Sequence, residues 1–271
     1  MLESFVSFEG LHKKPYMAFI WTVLLTSVAI VLSIYVPFRI SVGQTVVNLH
    51  GIFSVLFTII PSVYFITVLF KQDEDMEEDE IEKHYAKGLW KRHSKDITIF
   101  LFFFAGIAVT YAVWSAVLPQ DFFQVQLTKI NEVRGGVGAL TGNAVANNLS
   151  FNDVLFNNLG VMVFSFIFSI LFGAGMVFIL AWNASVLGVF IGKLSESIYH
   201  IPSVSLLFLP HGLPEIAGYV VSGIAGGIMS AAIVRGHHKH GVFRIVLLDS
   251  AALVGIAVLL ILLGAWVEVF L

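Results

Sequence analysis

LLFLPHGLPEIAGYVVSGIAGGIMSAAIVR, residues 206–235, decides how the rest of the chain is read. It is apolar for long enough to cross a bilayer, yet near its start it carries Pro210, His211, Gly212, Pro214 and Glu215. Ionisable side chains inside hydrocarbon are costly and face a cavity or a partner. His211 and Glu215 are four apart, so on a continuous helix they share one face. Two prolines challenge that continuity, because Pro214 has no N–H for the carbonyl of Pro210 and each ring restricts the residue before it. The alternative is a broken element, with residues 210–213 unwound and a new helix opening at Pro214, where Glu215 suits the positive end of the dipole. Non-helical backbone at membrane depth survives only against protein or water. Both versions turn the stretch inward. A plainer reading leaves Glu215 as a helix cap at the water boundary and His211 as an interfacial histidine.

The surrounding composition makes the membrane reading firm. Of 271 residues, 58% are hydrophobic and 12% charged, against roughly 25% charged in soluble domains. Mean hydropathy is +0.89. Long apolar runs imply helices rather than a barrel. With no cysteine, disulfides, iron–sulfur ligation and a thiol nucleophile are excluded. The first apolar run is too long for a cleavable signal and no small-residue cleavage site follows it, so the first span itself directs insertion.

Taken in order, residues 17–36 form a first span, and a short polar link at 38–50 leads to a second at 52–70 with Pro61 inside it. Residues 71–96 are charged: an acidic run at 73–82, then Lys83, Lys87, Lys91 and Lys95 at four-residue spacing. That spacing places the four lysines on one face of a surface helix, either against anionic headgroups at about 1 kcal/mol per lysine or in a solvated linker that fixes topology. A third span covers 97–118, and residues 120–157 form the longest polar connection, with Asn148 in a glycosylation-like Asn-Leu-Ser. The fourth span is read as 159–182, ended by Asn183. Residues 184–198 are short for a span and interrupted by Lys193 and Glu196, an i,i+3 pair; they either cross or re-enter. The opening stretch, a basic loop with His237, His238 and His240, and a last span at 245–271 complete the chain.

Lysine and arginine placement sets the orientation. With the N-terminus, 71–96 and 235–244 in the cytoplasm, 11 of the 15 Lys and Arg lie inside. The expected fold is all-α: one polytopic membrane bundle of about seven inserted helices, one of them short or broken, with the C-terminus outside. Gly188–Gly192 and Gly223–Gly227 match GxxxG, and Ser169–Gly173 is a weaker small-residue pair. All fall between residues 157 and 235, so a tightly packed inner unit is expected there, with the first two and last spans peripheral. Such glycine faces also suit a homodimer.

Asn157-Asn158-Leu159 leading a Gly-rich span, Trp182-Asn183-Ala184-Ser185-Val186-Leu187-Gly188, and Leu209-Pro210-His211-Gly212-Leu213-Pro214-Glu215 with Ala217-Gly218 and Gly223-Ile224-Ala225-Gly226 together resemble the stage II sporulation protein M family. The likeness covers mainly residues 157–235, and Asn183-Ala184 stands where the family commonly has Asn-Gly. In sporulating bacteria the resemblance implies a membrane anchor for wall-degrading partners; elsewhere it implies architecture more than activity.

Three functions compete. A non-enzymatic scaffold rests on the resemblance and on the charged segment 73–95, which would meet membrane lipids or a membrane or cytoplasmic protein partner. A transporter or channel would line its path with Asn158, Asn183, Lys193, His211 and Glu215, since Pro/Gly-interrupted segments beside polar residues mark membrane binding sites. A metal-dependent hydrolase needs more ligands than His211 and Glu215, with only His200 as a further candidate near the outer surface, and it is the reading favoured least. The residues identify no cofactor. No phosphate loop, dinucleotide fingerprint or nucleic-acid module is present.

Overall fold

Hydrocarbon offers no partner to a backbone N–H or C=O, so each apolar run closes its own hydrogen bonds as a helix. The computed structural model describes residues 14–36, 39–42, 45–83, 89–133, 150–234 and 242–271. In order, it contains α1 (Tyr16–Ile34), β1 (Arg39–Val42), β2 (Thr45–Asn48), α2 (His50–Lys83) and α3 (Leu89–Val117). A 3-10 turn at Gln120–Phe123 then leads into α4 (Gln124–Val133), followed by α5 (Phe151–Phe172), α6 (Met176–Ser195), α7 (Ile201–Val234) and α8 (Val242–Phe270). Among the described residues six helices are long and apolar enough to cross a membrane, and the His50–Tyr64 part of α2 is a shorter apolar helix. The all-α polytopic bundle expected from sequence is what the chain forms.

Several boundaries differ from the sequence expectation. The 38–50 link is a small antiparallel hairpin, Arg39 opposite Asn48 and Val42 opposite Thr45. The polar connection is partly helical, through α4, and α5 begins at Phe151, capped by the Ser150 hydroxyl, which accepts from the Asn152 N–H at 3.3 Å. Asn157 and Asn158 therefore lie inside a span. The fourth span ends at Phe172, not at Trp182. Gly173 takes φ 65°, ψ −79°, a turn conformation that a Cβ would strain. The Ser169 hydroxyl accepts from the Met176 N–H at 3.0 Å and ties the two helices across that turn. Asn183 consequently sits within α6, which is a full 20 residues. Residues 184–195 of the expected short or re-entrant element are part of this complete helix, and 196–198 lie in the turn after it.

In the charged segment, residues 71–83 prolong α2 and residues 89–96 open α3, with 84–88 outside the described residues. Lys95 is exposed; Lys87, Asn148, His237, His238 and His240 lie outside the described residues, as do the side chains of Lys83 and Lys91.

Packing centres on α3 and α7, the most buried spans, while α1, α5 and α8 turn more of their surface outward. Phe100, Phe103, Ile107 and Tyr111 of α3 meet Met176 and Leu180 of α6 and Ile224 of α7 in one continuous core. Close approach is set by glycine. A Cβ on Gly188 would run into the Ala108 carbonyl and one on Gly192 into the Ala112 carbonyl, so these two glycines let α6 lie on α3. Gly223 meets Met176 and Ser165, and Gly227 is buried. The glycine pairs thus pack helices of one chain against each other, and no argument for a second copy remains in them. The last span, the least buried of the six, is held to α7 where Gly218 and Gly264 let the two helices approach. On the first two spans hydroxyls fill the contact: Gly106 faces Thr22, and the buried Tyr111 and Ser54 hydroxyls are 2.8 Å apart.

α6 ends with Glu196 at φ 53°, a left-handed position normally given to glycine. Lys193 and Glu196 are accordingly not paired along one continuous helix. Glu196→Gly is expected to raise stability by about 0.5–1 kcal/mol, because glycine adopts this conformation without a Cβ penalty. Thermal unfolding in detergent checks this, and an unchanged or lower midpoint contradicts it.

Candidate functional site

α7 settles the question posed by its prolines. Pro210 and Pro214 both lie inside one helix of 34 residues. In water an interior proline costs about 3 kcal/mol or more, whereas membrane helices accept it because neighbouring groups take up the freed carbonyls. With the helix continuous, His211, Glu215 and Tyr219 fall on one face at four-residue spacing.

That face meets α5. The Asn158 side-chain N–H donates to Glu215 Oε1 at 2.6 Å, and the Tyr219 hydroxyl donates to Asn158 Oδ1 at 2.6 Å. Asn157 Nδ2 donates to the same oxygen at 3.3 Å. The amide of Asn158 is thus used at both ends, in a chain in which each bond polarises the next. Asn158, Glu215 and Tyr219 are all buried, Glu215 being 8% exposed. One turn further along, the Ser165 hydroxyl donates to the Tyr219 carbonyl at 2.9 Å and the Ser222 hydroxyl donates to the Met162 carbonyl at 2.9 Å. Contacts advance together along both helices, so α5 and α7 run parallel, with α6 carrying the chain back between them.

α8 closes the other side. A Cβ on Gly264 would collide with the Glu215 side chain and would lie 3.0 Å from the His211 carbonyl; the missing methyl is the space the carboxyl group uses. Glu268, one turn beyond Gly264 and exposed, acts electrostatically on His211, Glu215 and Tyr219. His211 is half-buried, with Phe208 edge-on at 5.6 Å between ring centres. The start of α5 and the end of α8 lie at the same end of the bundle, where Phe151 and Phe270 are 6.2 Å apart. Asn158 is seven residues into α5, about 10 Å along its axis.

Of the residues singled out from sequence, the structure joins Asn158 to Glu215, with His211 one turn before Glu215 on the same helix and its ring against Phe208. Asn183 is elsewhere: its Nδ2 donates to the Ile179 carbonyl of its own helix at 2.7 Å. Lys193 is half-buried in the last turn of α6. Tyr219, Gly264 and Glu268 were not anticipated. Tyr219 had a signal, its place one turn beyond Glu215; the other two depend on α8 docking against α7, which spacing alone does not reveal. Among the described residues no group of three or more His, Asp or Glu side chains is placed to hold a metal ion, and His200 is exposed in the turn before α7.

The sequence relationships agree with this architecture. An uncharacterised protein of Methanocaldococcus jannaschii is 36% identical over 81 residues, covering 29% of this chain and 46% of the relative; the match thus spans less than half of that protein's length. No solved structure matches the chain. The family model for stage II sporulation protein M matches residues 98–271, which include α4 to α8 and the last 20 of the 29 residues of α3. With more than half of its length matched, the chain belongs to the stage II sporulation protein M family.

Proposed function

We propose that this protein is a non-enzymatic membrane scaffold, which organises lipids or protein partners around a tightly packed helix bundle. The observation that carries this reading is the Tyr219–Asn158–Glu215 network, which commits the Glu215 carboxyl group to holding α5 against α7. A residue used in this way serves architecture before it serves passage. The lysine and arginine distribution supports a cytoplasmic N-terminus and an extracytoplasmic C-terminus. On that orientation the charged 73–95 segment is the surface offered to a membrane or cytoplasmic protein or to anionic lipid.

A second reading, transport of a small solute or cation past His211 and Glu215, is favoured by the proximity of exposed Glu268 to both. One pair of measurements separates the two. In liposomes, wild-type and Glu215→Gln proteins are expected to show the same background permeability to protons, sodium and small solutes. In native membranes, crosslinked partners are expected to disappear when residues 73–95 are replaced by a neutral sequence. A flux carried by the wild type and lost in Glu215→Gln would replace scaffolding with transport.

A further inference from the structure

We infer that the outward face of α6 around Asn183 is the seat of a second copy of this chain, whose own Asn183 meets it across a two-fold axis. The inference goes beyond the scaffold reading and does not depend on it, because it concerns how two bundles join and not what they recruit.

Depth, an unanswered amide and an outward face carry it. α6 runs from Met176 to Ser195, so Asn183 lies about 10 Å from its start and about 18 Å from its end, inside the membrane-spanning length. The Asn183 side chain is half-buried, and Nδ2 donates to the Ile179 carbonyl of its own helix at 2.7 Å. That bond fixes the amide's orientation. Among the described residues it leaves Oδ1 without a donor and the second N–H without an acceptor. By spacing, Ile179, Trp182, Asn183 and Val186 share one face. All four are half-buried and the neighbouring Phe178 is exposed, whereas Gly188 and Gly192 hold the other side of α6 against α3. The face is therefore separate from the glycine contacts already used within the chain.

Hydrocarbon supplies neither a donor for an amide oxygen nor an acceptor for an amide hydrogen, so a polar side chain at this depth turns to protein. A carboxamide carries one group of each kind, which makes it its own complement. Two of them related by a two-fold axis exchange two N–H···O bonds, and each satisfies what the other lacks. A cationic or anionic partner would answer only half of the amide. The rim fits the same occupant. Ile179, Trp182 and Val186 are uncharged, so identical rims pack together without setting like charges against one another, and tryptophan is among the residues enriched at interfaces.

The chain has no cysteine, so a single introduced thiol reports on one position. Full-length protein carrying a fluorophore at Asp121→Cys, an exposed residue of the outer turn, is reconstituted in vesicles, and energy transfer between copies is followed as lipid dilutes them. Transfer is expected to saturate with Asn183 intact, and Asn183→Leu is expected to need about tenfold more protein per lipid to reach the same level, because both exchanged bonds are lost. In separate preparations Asn183→Cys is expected to crosslink to itself on oxidation, whereas Leu171→Cys, exposed on α5, is not. Asn183→Leu removes a bond only to its own helix and is expected to fold, which elution volume and circular dichroism check; if it does not fold, the two thiol variants decide. Four outcomes overturn the proposal: transfer no greater than random proximity gives; equal transfer with Asn183 and with Asn183→Leu; a crosslink for Leu171→Cys without one for Asn183→Cys; or oxidation in native membranes that joins Asn183→Cys to a different protein instead of to itself.

Discussion

Asn158→Leu is expected to destabilise the bundle by about 2–4 kcal/mol, because it strands two buried groups at about 1–3 kcal/mol each. The Tyr219 hydroxyl loses its acceptor and Glu215 Oε1 loses its donor, both at 2.6 Å in the intact network. Glu215→Gln keeps an acceptor oxygen facing Asn158 and should cost less than about 1 kcal/mol, near the average of about 0.6 found for hydrogen bonds between membrane helices. The triple variant Asn158→Leu/Glu215→Leu/Tyr219→Phe removes both stranded buried groups, leaving only the exposed Asn157 without its Asn158 acceptor, and should recover most of the loss. Denaturant unfolding in mixed micelles measures all three. If the single and triple variants prove equally unstable, cavity or shape effects dominate and the network is not what holds this seam.

The second large effect lies where α6 crosses α3. Gly188→Ala/Gly192→Ala places two methyl groups against the Ala108 and Ala112 carbonyls. Those atoms are backbone, so no rotamer change relieves the collision and the helices have to separate. Overpacking costs about 1–3 kcal/mol per site, so the double variant is expected to lose about 2–6 kcal/mol and to be recovered in low yield. Gly160→Ala and Gly255→Ala are the controls: a Cβ at either meets nothing within 4 Å, and both should remain near wild type. A double variant as stable as these controls would mean that the α3–α6 contact tolerates expansion.

These expectations mark what was legible in the chain. Apolar runs longer than a bilayer is thick specified the helices and almost their number, because backbone satisfaction in lipid leaves no other choice. The four-residue spacing of His211 and Glu215 gave their shared face once α7 proved continuous. Two errors had local causes. Asn183 looked like a break because it is polar, but its side chain bonds to Ile179 within the helix; the real turn is Gly173–Ala174–Gly175, whose first residue was read as half of a small-residue pair with Ser169. Asn157 looked like a loop residue because it closes a polar stretch, although Ser150 starts the helix seven residues earlier. Gly264 and Glu268 stayed invisible for a different reason. Their role is set by which helix docks against which, and local pattern carries little of that information.

The parallel arrangement of α5 and α7 also bears on how the chain is made. Asn158 and Glu215 are 57 residues apart, and α6 must be completed between them. At translation rates of roughly 5–20 residues per second, Asn158 spends about 3–11 s at the insertion site before its acid partner emerges. During that interval a polar amide is held without the group it will bind, and a nascent protein has to be sheltered by the translocon or by a chaperone until the third helix of the unit arrives.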